Sequence, residues 1–230
     1  MLFPDRYQRN AVSVTAEEQE ILKNASVLVA GCGGLGGYVI ELLARVGVGG
    51  ITGVDGDVFQ PSNLNRQLFS KESNIGSSKA EAAMIRVAEI NSDVSFTAVC
   101  GMLTEENADA LLSGKSVAVD ALDNAEARLL LARAAGRAGI PMVHGAISGW
   151  HTRIYTVMPG DGLLEALFAG GGTGAEKILG NLPFTAALCA AQQAAETVKL
   201  ILGKGDTAAG RIIETDLLDM TFEEIDISGG

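Results

Sequence analysis

A glycine-rich segment near the start of the chain has the spacing of a phosphate-binding loop. It reads Gly-Cys-Gly-Gly-Leu-Gly at residues 31–36, between an apolar run at 26–30 and a helical pattern, and so matches G-x-G-x-x-G in its required setting. The glycines of the motif are Gly31, Gly33, Gly34 and Gly36. Such a loop lets the backbone approach a phosphate, and the next helix adds N–H groups and a partial positive charge. The segment predicts a nucleotide site, usually for NAD, with a tight turn that binds nothing as the alternative.

Polar and charged side chains follow the next apolar run, residues 51–54, and they discriminate between nucleotides. They are Asp55, Asp57, Asn63, Arg66, Gln67 and Lys79. Asp55 directly follows the predicted strand, where a carboxylate can hold ribose hydroxyl groups. Arg66 suits a forked contact with phosphate, and Lys79 suits a point-charge contact. Hydride transfer has little use for these cations, whereas a triphosphate needs them to neutralise the oxygens beyond its α-phosphorus. The segment therefore favours a nucleoside triphosphate.

A third polar group, Asp123-Asn124, follows the apolar run at residues 117–120, and Arg128 comes about one helical turn later. A carboxylate at the carboxyl end of a parallel strand faces the ligand crevice of an open sheet. There Asp123 can bind Mg²⁺, which takes one or two carboxylates together with phosphates. The alternative is that Asp123 caps the next helix, since Asp and Asn commonly do so.

Apolar runs and helical patterns alternate along the chain in the order expected for a doubly wound, mostly parallel α/β sheet of Rossmann type. The predicted strands are residues 26–30, 51–54, 94–99, 117–120, 142–146, 153–158, 211–215 and 221–227. The predicted helices are residues 15–24, 34–47, 79–91, 104–112, 124–138 and 185–202. The last strands alternate in polarity, which predicts an antiparallel C-terminal extension. We expect one domain over residues 1–230, with a mobile crossover at about 160–182.

Composition narrows the classes of function. The 230 residues carry a net charge of −11, which opposes binding to nucleic-acid phosphates and makes a nucleic-acid partner unlikely. No apolar run reaches the ~18 residues of a membrane span, and the first residues lack the pattern of a signal peptide. The three cysteines are widely spaced and form no Cys-x-x-Cys pair, which favours a reducing cytoplasm.

Taken together, these motifs resemble the MoeB/ThiF/HesA family, which is related to the ubiquitin-activating enzymes. The matching segments are Arg6-Tyr7-Gln8-Arg9, residues 31–36, Asp55-x-Asp57, Asn63-Leu64-Asn65-Arg66-Gln67, Gly76-x-x-Lys79, Asp123-Asn124, residues 141–146 and residues 192–202. The resemblance covers nearly the whole chain. Its most specific part is the Asn-Leu-Asn-Arg-Gln segment with the spaced Lys79 and Asp123.

The resemblance implies an adenylyltransferase that uses ATP and Mg²⁺ to activate the C-terminal Gly-Gly carboxylate of a ubiquitin-like sulfur carrier, of the kind used in thiamine or molybdopterin synthesis. It implies nucleotide contacts from the glycine loop, Asp57 and Gln67, with the ribose held by Asp55. Phosphate contacts would come from Asn63, Arg66 and Lys79, and the magnesium ligand would be Asp123. It also implies a homodimer in which Arg9 reaches the ATP of the other subunit.

The chain departs from many relatives at its cysteines. The first zinc-binding pair of those relatives would fall near residues 164–167, where this chain has none, so we expect no zinc. Residues 168–182 lack the cysteine that can accept the activated group, which makes the acyl-adenylate the expected product. Cys189 is expected to be buried filler in an Ala-rich helix, and His144 and His151 are expected to be structural or peripheral.

Three alternatives remain at this stage. The chain could be a relative that adenylylates a carboxylate on tRNA, a silent partner of an active paralogue, or an NAD-dependent oxidoreductase. The acidic composition opposes the first, the intact Arg66, Lys79 and Asp123 oppose the second, and the cations beyond the glycine loop oppose the third. The carrier protein, the pathway and the sulfur donor are not specified by these residues.

Overall fold

A single sheet of eight strands organises the part of the chain that the computed structural model describes, residues 4–162, 164 and 179–227. The strands are β1 (Ser26–Ala30), β2 (Gly50–Val54), β3 (Ser95–Val99), β4 (Val117–Asp120), β5 (Met142–Ser148), β6 (His151–Val157), β7 (Arg211–Asp216) and β8 (Thr221–Asp226). The helices are α1 (Ala16–Asn24), α2 (Gly34–Val46), α3 (Lys79–Ile90), α4 (Glu105–Leu112), α5 (Ala125–Ala138) and α6 (Pro183–Leu202). The strand order is β3-β2-β1-β4-β5-β6-β7-β8.

The central strand β1 explains why the sheet must be covered on both faces. Its residues Val27 to Ala30 are fully buried, and successive side chains enter two different cores. Val27 and Val29 pack with residues of α1, α2, α3 and α6, whereas Leu28 and Ala30 pack with residues of α4 and α5. A continuous apolar strand therefore requires helices on both faces, as in other parallel sheets.

Strand direction changes once along the sheet. β1 to β5 pair in parallel, and β5 to β8 pair antiparallel through direct hairpins or a long crossover. The predicted mostly parallel fold with an antiparallel C-terminal part is therefore confirmed. Because β2 and β4 lie on opposite sides of β1, the chain reverses its winding there, and ligands bind at the carboxyl ends of the strands beside such a reversal.

Helix boundaries follow local chemistry closely. Thr15 caps α1, accepting the Glu18 N–H at 3.2 Å while the Glu18 side chain accepts the Thr15 N–H at 2.8 Å, the predicted capping box. α2 ends at Val46, and the next residue, Gly47, adopts the left-handed conformation (φ 92°) typical of a C-terminal cap. α6 begins at Pro183, two residues before the predicted start, because proline is favoured in the first turn of a helix.

The β5–β6 hairpin is longer than its sequence pattern predicts. β5 continues to Ser148, past the predicted end at Ala146, because antiparallel pairing with β6 continues as far as Ser148 and His151. The crossover expected at 160–182 lies mostly outside the described residues, and the single-domain assignment stays a prediction. Within the described ranges, none of the helices has the length and apolar character of a membrane span.

Packing requires a glycine at position 36, the last position of the loop. A Cβ atom on Gly36 would lie 1.8 Å from the backbone oxygen of Gly31, which is too close for any side chain. The adjacent Gly37 differs, since a Cβ there would lie 3.6 Å from ring carbons of Phe69, an ordinary van der Waals distance. Helix α2 can therefore approach the loop only because position 36 has no side chain.

Replacing Gly36 by alanine should lower the free energy of unfolding by about 1–3 kcal/mol, the usual cost of overpacking an interior. The matched control is Gly37→Ala, one residue further along the same helix, where the better helix propensity of alanine should stabilise the protein by up to about 1 kcal/mol. Urea denaturation of both variants measures the difference. Equal stability of the two variants would contradict the packing argument.

Candidate active site

A cleft of about 270 Å³ opens at the carboxyl ends of β1, β2 and β4, and it collects most of the residues singled out by their spacing. The predicted residues that line it are Gly31, Gly33, Gly34, Asp55, Asp57, Arg66, Gln67, Lys79 and Asp123. They come from the glycine loop, the segment after β2, the start of α3 and the segment after β4. The fold thus brings together groups that are far apart in sequence.

The glycine loop is wedged between the ends of β2 and β4. The Gly31 N–H donates to the Val54 oxygen at 2.8 Å, and Gly31 has a positive φ of 94°. A Cβ on Gly31 would lie 2.5 Å from the Ala121 oxygen, so a side chain is excluded there by both space and conformation. The loop backbone itself therefore forms the floor of the cleft, as expected for a phosphate site.

Asp55 ties the loop to the segment that follows β2. Its Oδ2 atom accepts the N–H of Cys32 at 2.7 Å, and its Oδ1 atom accepts the N–H of Asp57 at 2.8 Å. These two bonds hold the carboxylate in one orientation at the side of the cleft. A carboxylate fixed in this way can accept hydrogen bonds from a ligand's hydroxyl groups with little further ordering.

Lys79 is a buried cation with a partner that is exposed to solvent. Its side chain is 9% exposed, and its Nζ atom lies 2.8 Å from Oδ2 of Asp57, whose side chain is 64% exposed. Burying an ammonium group is costly without a compensating charge, so Asp57 stabilises Lys79 in this position. A ligand phosphate that entered the cleft would offer Lys79 a second anionic partner.

Arg66 lies along the glycine loop. Its side-chain carbons would lie 3.6–3.7 Å from a Cβ on Gly34, and its Nη1 atom donates to the Ser62 oxygen at 3.1 Å and to the Asn65 Oδ1 atom at 2.9 Å. The guanidinium group is thereby held beside the loop, where its remaining donors can reach an anion. Together, Arg66 and Lys79 provide positive charge within a protein of net charge −11.

Asn124, and not Asp123, caps helix α5. The Asn124 Oδ1 atom accepts the Ala127 N–H at 2.8 Å, which is the N-cap bond. Asp123 is exposed at the cleft. Because the neighbouring residue makes the cap, the Asp123 carboxylate is not required there and can face a ligand or a metal ion.

Three of the predicted site residues do not line the cleft. Gly36 has the packing role described above. Asn63 is buried and forms a turn, because its Oδ1 atom accepts the Gln60 N–H at 2.9 Å and its backbone oxygen accepts the N–H groups of Arg66 and Gln67. Arg9 is exposed in the N-terminal segment of the chain. Within one chain, then, Asn63 supports residues of the cleft and Arg9 lies outside it.

Several lining residues were not singled out by sequence reasoning. Apolar side chains at or beyond the ends of strands form one wall, and they include Val54, Met102, Leu103, Leu122 and Ile147. Isolated apolar residues near strand ends give no chemical signal, so their grouping follows only from the fold. Arg128 also lines the cleft, and its position one turn into α5 was the only feature of the sequence that indicated this.

The histidines agree with structural or peripheral roles. His144 is buried at the end of the β4–β5 pair, where its Nδ1 atom lies 2.6 Å from Oδ2 of Asp120. His151 is exposed, and its Nδ1 atom lies 3.8 Å from Oδ2 of Asp216. Neither residue lines the cleft. The positions of the zinc pair in many relatives, near 164–167, lie almost wholly outside the described residues, so the absence of zinc stays a prediction.

Two of the three free cysteines are buried. Cys189 is inaccessible within α6, as expected for buried filler, and burial raises the pKa of its thiol to about 12. Burial raises the pKa of the Cys32 thiol in the glycine loop even further above its ordinary range. Cys100, just after β3, is exposed. The thiolate is the reactive form of cysteine, so Cys32 and Cys189 are poor nucleophiles in the folded protein.

The ThiF family model matches residues 7–229 of the chain. The SAMP-activating enzyme E1 of Haloferax volcanii is 38% identical over 230 residues, which cover 96% of this chain and 84% of that protein. The sulfur carrier protein adenylyltransferase of Thermus thermophilus is 33% identical, with 97% of this chain and 87% of that protein covered. The molybdopterin-synthase adenylyltransferase of Salmonella typhimurium is 31% identical, with 96% and 91% covered.

Solved structures of low sequence identity share this fold, and E. coli MccB is an example. E. coli MccB, crystallised with AMPCPP and MccA, superposes with a TM-score of 0.82 at 20% identity, covering 97% of this chain and 71% of that one. At this level of identity the superposition describes the arrangement of helices and strands. It agrees with the mixed sheet and its antiparallel C-terminal part.

Native alkylation should separate the three cysteines. At about pH 8, near the ordinary thiol pKa of about 8.5, iodoacetamide should modify Cys100 and leave Cys32 and Cys189 intact until the protein is unfolded. Peptide mass mapping before and after denaturation in urea measures the modification. Rapid labelling of Cys189 or Cys32 in the folded protein would contradict the burial argument.

Proposed function

We propose a substrate for this chain, which belongs to the ThiF family and is an adenylyltransferase. The proposed substrate is the C-terminal carboxylate of a small ubiquitin-like protein ending in Gly-Gly. The reaction transfers AMP from ATP to that carboxylate and releases pyrophosphate. The observation that carries the proposal is the cleft itself, in which a glycine loop, two cations and an exposed carboxylate face one another. The names of the relatives support a sulfur carrier as the substrate, since they are a SAMP-activating enzyme and a sulfur carrier protein adenylyltransferase.

The proposed step forms one bond and breaks one. An oxygen of the terminal carboxylate attacks the α-phosphorus of ATP, the bond from that phosphorus to the β-bridging oxygen breaks, and pyrophosphate leaves with the electron pair. A terminal carboxylate has a pKa of about 3.5 and is therefore already an anionic nucleophile at neutral pH. The protein needs to supply orientation and charge shielding, and no general base.

The residues of the cleft match those two needs. The backbone of the glycine loop would hold phosphate oxygens, and the fixed carboxylate of Asp55 would accept the ribose hydroxyl groups. Arg66 and Lys79 would neutralise the triphosphate, with Lys79 exchanging or sharing its ion pair with Asp57. Gln67, close to Gly33, would add a polar contact at the loop.

Asp123 is the residue that we propose to hold Mg²⁺. Its carboxylate is exposed at the cleft, and Asn124 makes the helix cap in its place. Oxygen ligands from one or two carboxylates and from phosphates suit this cation. When bound, Mg²⁺ would neutralise phosphate charge and orient the triphosphate.

We propose that the enzyme is a homodimer and that Arg9 contacts the ATP bound by the other subunit. The segment that carries Arg9 is firmly anchored, because buried Tyr7 accepts the Asn91 side-chain N–H at 2.7 Å and Arg6 also hydrogen-bonds Asn91. Arg9 itself projects from this anchored turn and is exposed. An exposed cation on a fixed segment is well placed to complete a neighbouring subunit's site.

ATP–pyrophosphate exchange in the presence of Mg²⁺ tests the proposed reaction. Labelled pyrophosphate should enter ATP only when a Gly-Gly-tailed carrier is added, and a carrier that lacks its last glycine is the matched control. Exchange with one carrier of a panel would also identify the partner. Measurable ATP binding without exchange for any carrier would contradict the proposal and favour a silent subunit or a tRNA substrate.

Complementation between two inactive variants tests the shared sites. Arg9→Ala and Asp123→Ala homodimers should each lose at least about 100-fold in exchange rate, by analogy with the loss of an arginine that reaches across an interface. A mixed dimer retains one site with both residues intact, so co-expressed and purified heterodimer should recover up to half of the wild-type rate. A confirmed heterodimer with no recovery would show that Arg9 does not act across the interface.

A further inference from the structure

The backbone of Leu122, directly before Asp123, is held by side chains at both its N–H group and its carbonyl oxygen. Oδ1 of Asp120 accepts the Leu122 N–H at 3.0 Å. The Nε and Nη2 atoms of Arg128 both donate to the Leu122 oxygen, at 3.0 and 2.6 Å. One carboxylate from β4 and one guanidinium from α5 therefore hold the two peptide groups that flank Leu122.

Both side chains of this peptide clamp, Asp120 and Arg128, are themselves fixed in the interior. Asp120 is fully buried, its Oδ2 atom lies 2.6 Å from Nδ1 of His144, and its backbone oxygen accepts the Gln193 side chain at 2.8 Å. Arg128 is 7% exposed, and its Nε atom lies 3.8 Å from Oδ2 of Asp120. Burying such a pair costs desolvation free energy, and this pair lies directly beside the cleft.

The clamp has a direct geometric consequence for Asp123. The Leu122–Asp123 peptide plane, held through its oxygen by Arg128, sets the direction in which the chain enters Asp123, and Asn124 then fixes the start of α5. The three residues between Asp120 and Asn124 are thus tied at both ends and at the middle residue. Asp123 and Asn124 are both exposed, but the Asn124 side chain is engaged in the helix cap, which leaves the Asp123 carboxylate to face the cleft.

We propose that Asp120 and Arg128 are positioning residues that hold Asp123 in the direction required to ligate Mg²⁺. The inference rests on the proposed function, in which Asp123 is the magnesium ligand. Groups that orient a metal ligand without touching the metal affect metal affinity by about 10–100-fold. Two other roles are distinguishable: a purely structural pair, and direct contact of Arg128 with the nucleotide, which its place on the cleft would allow.

Calorimetric titration of the full-length protein with ATP, first in EDTA and then over a series of Mg²⁺ concentrations, separates these roles. The variants are Asp120→Asn and Arg128→Lys, with Asp123→Ala as the reference for loss of the ligand. Arg128→Lys retains the charge and removes the forked grip on Leu122. The matched control is Arg137→Lys on the same helix, where the arginine binds Asp109 at 2.8 Å, away from the clamp.

Both clamp variants should keep the Mg²⁺-free ATP affinity within about twofold and require at least about tenfold more Mg²⁺ for the same gain in affinity. The Mg²⁺ requirement of the double variant should exceed that of the more impaired single variant by no more than about twofold, because both changes release the backbone of the same residue. Arg137→Lys should match the wild type, and Asp123→Ala should lose the Mg²⁺-dependent gain.

Several results would overturn the inference. An unchanged Mg²⁺ requirement in Arg128→Lys, with Asp123→Ala impaired, would make the pair purely structural. A loss of Mg²⁺-free ATP affinity in Arg128→Lys would indicate direct contact with the nucleotide. Normal Mg²⁺ dependence in Asp123→Ala would remove the ligand to be positioned. If Asp120→Asn fails to fold by circular dichroism, Arg128→Lys alone decides.

These outcomes are separate from failure of the proposed reaction. The titrations measure ATP and Mg²⁺ binding without a carrier, whereas the adenylylation proposal fails when the wild type shows no carrier-dependent pyrophosphate exchange. A protein that binds Mg-ATP through a clamped Asp123 but catalyses no exchange would retain the clamp and lose the proposed substrate.

Discussion

Backbone groups of the glycine loop and of the segment after β4 come so close together that neither side chains nor water can lie between them. The Gly31 Cα faces the Ala121 oxygen, and the Gly36 Cα faces the Gly31 oxygen, at distances that exclude a Cβ atom. This contact fixes how far the glycine loop lies from the segment that presents Asp123. The two sides of the cleft therefore depend on it, and so does the distance that a triphosphate would have to span.

Charge in the cleft is organised by short-range pairs within an acidic protein. A net charge of −11 repels anions at long range, but solvent and salt screen that field over about 8–10 Å. Lys79 is buried and paired with Asp57, so its charge is held in place before any ligand arrives. Arg66 is held by neutral oxygens, which leaves its positive charge uncompensated by those contacts. An anion thus meets fixed positive groups whose side chains need little further ordering.

The sequence was most informative where the determining forces are local. The Thr15–Glu18 capping box, the strand at 26–30 and the alternation of strands and helices were predicted correctly, and the family resemblance drawn from spaced motifs is confirmed by the match over residues 7–229. The extension of β5 to Ser148 was missed because it depends on pairing with β6. The inward role of Asn63 and the apolar wall from Met102 and Leu103 were missed because tertiary contacts determine both. The roles assigned to single site residues stay predictions.

Two aspartates three residues apart show why residue type alone does not specify chemistry. Asp120 ends a buried strand, and both of its carboxylate oxygens are engaged, one by the Leu122 N–H and one by His144. It is fully buried and does not line the cleft. Asp123 lies beyond the end of the strand, where the chain turns toward α5 and the carboxylate reaches solvent. A spacing of three residues across a strand end thus separates a buried carboxylate that holds the backbone from an exposed carboxylate that lines the cleft, and in the proposed arrangement the buried one sets the direction of the exposed one.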